Sequence, residues 1–238
     1  MRFESKIKTL FLYLYFMEKK TIRNKIVLAT IFFGPLIFYL FLLTGTNNFA
    51  KLPVLTNKVN DVSNLSTDKK ITFQNNISIV SFLGDDLLQH KTNALNLNEK
   101  IYKHFYGFKD FQFVVILPKG SEEKAKQLKE ELGATTNVDK WFFIFGTNKE
   151  VRGLFKSFKT NYILDTNLYT QNAFIIDREM NLRGRNEDED IPDGFLYGYN
   201  AESVAAIHQK MVDDVKVVIA EYRLSLKKNK KQDLLLKQ

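Results

Sequence analysis

The chain has 238 residues, 45% of them hydrophobic, a net charge of +8 and no cysteine. The absence of cysteine excludes disulfides, thiol redox chemistry, cysteine nucleophiles and thiolate metal sites. The charge sits at the ends: residues 1–25 carry seven basic and two acidic residues, the tail 227–238 carries five and one, and the body between is left at −1, so no nucleic-acid groove is expected.

Residues 1–25 include the apolar stretch LFLYLYFM, too short to span a bilayer, and Met17 is an alternative start. Residues 26–43, IVLATIFFGPLIFYLFLL, carry no charge. At ~1.5 Å rise per residue they extend about 27 Å, close to the ~30 Å hydrocarbon core of a membrane. The stretch predicts one uncleaved transmembrane helix, and its Gly34-Pro35 pair is tolerated in such helices. The basic flank before it keeps the N-terminus in the cytoplasm and exports the rest, which places a single-pass protein in the inner membrane with a periplasmic or extracytoplasmic domain. Residues 44–70 are polar and aperiodic and read as a tether.

Beyond residue 70 apolar runs and helical patterns alternate. ISIVSFL (77–83) reads as a buried strand, Gly84-Asp85-Asp86 as a turn with helix-capping character, and the following helix reaches about residue 105 with Leu88, Leu95, Ile101, Tyr102 and Phe105 on one side. FQFVVIL (111–117) is the second strand. Ser121 is placed to cap a helix with Glu122 and Glu123 in its first turn and Ala125, Leu128 and Leu132 at helical spacing. WFFIF (141–145) is the third strand, and a helix from Thr147 or Asn148 turns Val151, Leu154, Phe155 and Phe158 inward. Residues 173–177 and 181–185 flank a turn at Arg178-Glu179-Met180 and read as a hairpin. Asn200 is expected to cap the last helix, with Val204, Ile207, Met211, Val215, Val218 and Tyr222 on its apolar stripe. This order argues for an α/β sandwich around a mixed sheet over residues 71–226, followed by the basic tail 227–238.

The segments ISIVSFLG, WFFIFG and NAFIIDREMNLRGR resemble three pieces of the Sco/SenC family, thioredoxin-like, membrane-anchored copper chaperones of cytochrome oxidase assembly. The resemblance implies a thioredoxin-like sandwich and a setting in respiratory oxidase biogenesis. The family's copper ligands are two cysteines of a C-x-x-x-C motif after the first strand and a histidine before the hairpin. Here the cysteine positions fall near Leu87 and Lys91, and the histidine position falls close to Tyr169. The chain is thus expected to be a degenerate member that binds no copper or other cofactor, is not an enzyme, and acts by binding another envelope protein.

Other candidates are weaker. Asp86 and His90 stand at i, i+4, a spacing compatible with two-point metal contact, and with Asp85 they form the ligand set of an alternative metal chaperone or enzyme; a capping Asp and a surface His is the simpler reading. His104 stands about 21 Å from His90 along the same helix, and His208 reads as a partly exposed helix residue. The run Glu187-Asp188-Glu189-Asp190, with Asp193 beyond it, lacks the spacing of a calcium loop and reads as solvated. Phe195, Tyr197 and Tyr199 form an aromatic patch suited to a partner contact.

Overall fold

The computed structural model describes residues 24–42, 51–65 and 71–235, with side chains through 226 in the last helix. Residues 1–23, including the short apolar stretch and Met17, lie outside the described residues, as do 43–50 and 66–70. The chain forms two compact units, Met1–Phe49 and Ala50–Gln238.

In the first unit, α1 (Asn24–Leu42) is 19 residues long, apolar enough to cross a membrane, and none of it is buried within the protein. Thr30 donates its hydroxyl back to the Ile26 carbonyl at 3.0 Å, which satisfies that group within the helix.

The second unit is built on a seven-stranded sheet. β1 (Val54–Thr56), β2 (Ile77–Leu83), β3 (Phe111–Pro118), β4 (Trp141–Gly146), β5 (Tyr169–Ile176) and β6 (Leu182–Arg183) lie in the order β1-β6-β5-β2-β3-β4, and β7 (Tyr199–Asn200) pairs with β5. β2, β3 and β4 are parallel; β5 runs antiparallel to β2 and to β6. Helix layers cover both faces, which is why β2 and β3 are buried at every residue and read as largely apolar runs, interrupted only by Ser78, Ser81 and Gln112. One face holds Ile77, Ile79, Phe113, Trp141 and Ile175 against helices α2 (87–105), α3 (Glu122–Gly133) and α5 (204–235). The opposite face holds Val80, Phe82, Ile116 and Phe174 against α4 (Asn148–Ser157) and the 59–62 segment.

Local sequence explains the helix starts, with three departures from expectation. α4 opens on a capping box: the Thr147 amide donates to Glu150 at 2.7 Å and the Thr147 hydroxyl accepts from the Glu150 amide. Ser121 stands at the start of α3, but its side chain makes no capping bond. Ser203, not Asn200, caps α5, accepting from the Ala206 amide at 3.2 Å; Asn200 instead turns the chain by accepting from the Glu202 amide. In consequence Val204 lies outside the packed stripe, 44% exposed. Leu88 is likewise 57% exposed, because Leu87 takes the inward position of the first turn of α2, and a π turn at Asn98–Tyr102 rephases the helix so that Ile101 and Tyr102 are both buried.

Residues 51–65, expected as part of the tether, pack against the folded unit. Leu52, Val59 and Val62 are buried, and β1 adds a strand antiparallel to β6. The clamp is Arg183, which donates to the Leu52 carbonyl and bonds Asp177 at 3.1 Å and Glu221 at 2.7 Å, while the Leu52 amide donates to Glu221 at 2.8 Å. Such a short strand carries no alternation of its own, so its register comes from these partners.

Candidate functional site

Where β2 ends, Gly84 takes a φ of +69°, and a Cβ there would stand 2.7 Å from the Asn167 carbonyl oxygen. Glycine is therefore required by the close approach of the strand that carries Tyr169, which pairs with Leu83. Asp86 caps α2, accepting from the Gln89 amide at 3.4 Å, and the Asp85 carbonyl accepts from Lys124 at 2.8 Å.

One turn into α2, the His90 ring lies flat on Tyr169, with centroids 3.5 Å apart and planes within 4°. His90 Nδ1 is 3.0 Å from the Leu83 carbonyl. The Tyr169 hydroxyl donates to Glu202 at 2.5 Å and accepts from Asn93 at 3.1 Å. Burial first, and the Glu202 bond second, push its phenol up to about 12. Tyr169 is therefore a neutral donor at ordinary pH, not a phenolate.

Of the sequence positions singled out above, His90 and Tyr169 thus meet in space. Leu87 is buried, and Lys91 points to Glu131, 3.1 Å away. Soft cuprous ion favours thiolate, thioether or imidazole donors. An apolar side chain, an ammonium and a protonated phenol do not fit it, and no step through copper is derived. Among the described residues no three His, Cys, Asp or Glu converge as a metal site; Asp86 caps α2, the Asp85 carbonyl accepts from Lys124, and His90 stacks on Tyr169. His104 and His208 are exposed on separate helices.

Two further expectations change. Asp188 is buried rather than solvated: Lys210 bonds it at 2.6 Å and Arg185 stands 3.7 Å away. Burial pushes its carboxyl up, but the Lys210 bond, the Asp190 amide and, least, Arg185 outweigh that and hold it below the usual carboxylate range. Tyr199 is 1% exposed and donates to Asp214 at 2.6 Å, so it anchors its loop to α5 and is removed from the partner-contact set. Phe195, 40% exposed, and the half-buried Tyr197 stay at the surface, stacked with centroids 5.9 Å apart.

Sequence reading passed over Asn93 and Glu202, the residues that hold Tyr169. Both are polar residues on helix-forming stretches with no motif around them, so no local signal marked them. Asp177 and Arg183 were also passed over as functional groups, although they lie inside the hairpin wording: the Asp177 carboxylate accepts from the Glu179 and Asn181 amides at 3.0 and 2.8 Å and so builds the turn.

No family model matches the chain, and no curated protein matches it. Solved structures do. BsSco, a member of the Sco family of cytochrome c oxidase assembly proteins, is 13% identical over 71% of this chain and 98% of its own, with a TM-score of 0.46. A SCO1/SenC family lipoprotein from Bacillus anthracis is 14% identical over 74% of this chain and 99% of its own, with a TM-score of 0.44. Yeast Sco1 is 14% identical over 68% and 97%, with a TM-score of 0.36. The chain's own connectivity settles its architecture: parallel β2 and β3 joined through α2, antiparallel β5 and β6 beside β2, and a closing helix on the face of α2 make this a thioredoxin-like fold.

Proposed function

We propose that the chain is a membrane-anchored, non-catalytic thioredoxin-like module whose exported domain binds another envelope protein, in the setting of respiratory oxidase assembly that its sequence resemblance to the Sco/SenC family suggests. The observation that carries this reading is the His90–Tyr169 stack closed by Asn93 and Glu202. The Tyr169 hydroxyl is engaged by Asn93 and Glu202, and His90 Nδ1 faces the Leu83 carbonyl. Leu88 on α2 and Phe195 on the loop before β7 are exposed apolar side chains that offer a partner surface.

The test is a photo-crosslinking residue at Leu88 in the full-length chain, in its own membrane, with exposed Lys216 as the control position. A discrete adduct to one envelope protein from position 88, absent from position 216, is expected. No adduct from position 88, or the same adducts from both positions, contradicts the reading.

A further inference from the structure

Two clefts adjoin beside Tyr169 and share Tyr162 and Ile163. The smaller, about 400 Å³, runs along Thr170 and Asn172; the larger, about 550 Å³, lies beyond it between α4 and the loop that follows. Phe155 and Leu164, each 8% exposed, form the apolar floor of the larger cleft. Ile163 is 82% exposed at its edge, more than any other large apolar side chain among the described residues, α1 included. Its charged lining is all of one sign, Arg152, Lys156 and Lys159. Among the described residues neither Lys156 nor Lys159 has an ion-pair or hydrogen-bond partner from its side chain. Arg152 pins the loop by donating from Nη2 to the Asp165 and Thr166 carbonyls at 2.8 and 3.3 Å. The surface aromatic pair extends the same face, since Tyr162 contacts Tyr197 edge-on at 6.5 Å.

We propose that this cleft seats an acidic, apolar peptide segment of a partner protein, with one apolar side chain entering against Ile163, Phe155 and Leu164 and carboxylates pairing with Lys156, Lys159 and Arg152. The proposal rests on the protein-binding reading above and specifies the partner's chemistry. Charge complementarity selects acidic ligands. Concavity selects a protruding peptide segment over a flat bilayer surface, because an open cleft of this size admits side chains and is bridged by a membrane.

The experiment uses the full-length chain in neutral detergent micelles and two fluorescein-labelled hexapeptides, one alternating aspartate and leucine, the other lysine and leucine. Fluorescence polarisation should show the acidic peptide binding at least tenfold more tightly, more weakly as salt is raised, and K156E/K159E should abolish the preference. I163S should weaken the acidic peptide several-fold. K126E/K129E on exposed α3 makes the same charge change elsewhere and should leave binding intact; thermal melts confirm that each variant is folded. Equal affinity for the two peptides, no binding of either, or equal loss in both double variants overturns the proposal. So does binding only to phosphatidylglycerol vesicles through Lys156 and Lys159, which assigns the cleft to a lipid surface. If the cleft fails while position 88 still captures an envelope protein, this proposal alone falls; if both fail, the protein-binding reading falls with it.

Discussion

Tyr169 carries more of the site than any other residue, because a single phenol stacks on His90, donates to Glu202 and accepts from Asn93. Its folded pKa of about 12 lies above the ordinary value of 10.0. The fold therefore holds the phenolic proton more tightly than the unfolded chain does, so this contribution to stability is whole below pH 10 and is lost as pH rises toward 12. Following tyrosinate absorbance through alkaline titration, Glu202→Gln should move one late-titrating phenol downward; an unchanged titration curve contradicts the assigned cause. At this scale the sequence was partly legible. The resemblance pointed to Tyr169 as the place of the family's histidine, and the turn after β2 pointed to a capping Asp at Asp86. The stack itself was not legible, because His90 and Tyr169 come from distant segments that only the β2–β5 pairing brings together.

At the scale of elements, legibility followed burial. β2, β3 and β4 were readable because sheets covered on both faces demand long apolar runs, and α3 and α4 because one stripe faces the core. β1, β6 and β7 are two or three residues long and take their register from neighbours, so the 51–65 segment read as a tether. Charge misled where ion pairing is tertiary: Asp188 meets Lys210 from α5, which no local window contains. The Arg-Gly step after the hairpin has a packing explanation. A Cβ on Gly184 would stand 2.2 Å from the Leu196 carbonyl oxygen, and hydrogen bonds of 3.2 and 2.8 Å between Arg185 and Leu196 prevent that strand from yielding. Gly184→Ala should cost about 3 kcal/mol, the upper end of overpacking effects. Gly153→Ala in α4, where nothing lies within 4 Å of the new Cβ, should instead stabilise by about 0.5–1 kcal/mol. Urea melts of the two variants decide it, and equal shifts would contradict the packing argument.

At the scale of the whole molecule, α1 and the thioredoxin-like unit were both legible, the first from eighteen uncharged residues and the second from the alternation of elements. Orientation rests on the basic flank before residue 26. A reporter active only outside the cytoplasm, fused after Gln238, should be active in the membrane fraction; activity confined to the cytoplasm would reverse the topology. The central claim is that this scaffold keeps the architecture while its own side chains close the place where the Sco/SenC pattern puts copper ligands. Anaerobic titration of the full-length chain with cuprous ion, in competition with a chromogenic chelator, tests it most directly. No one-to-one site tighter than micromolar is expected, and no change on His90→Ala. A one-to-one site of much higher affinity that vanishes in His90→Ala would contradict it.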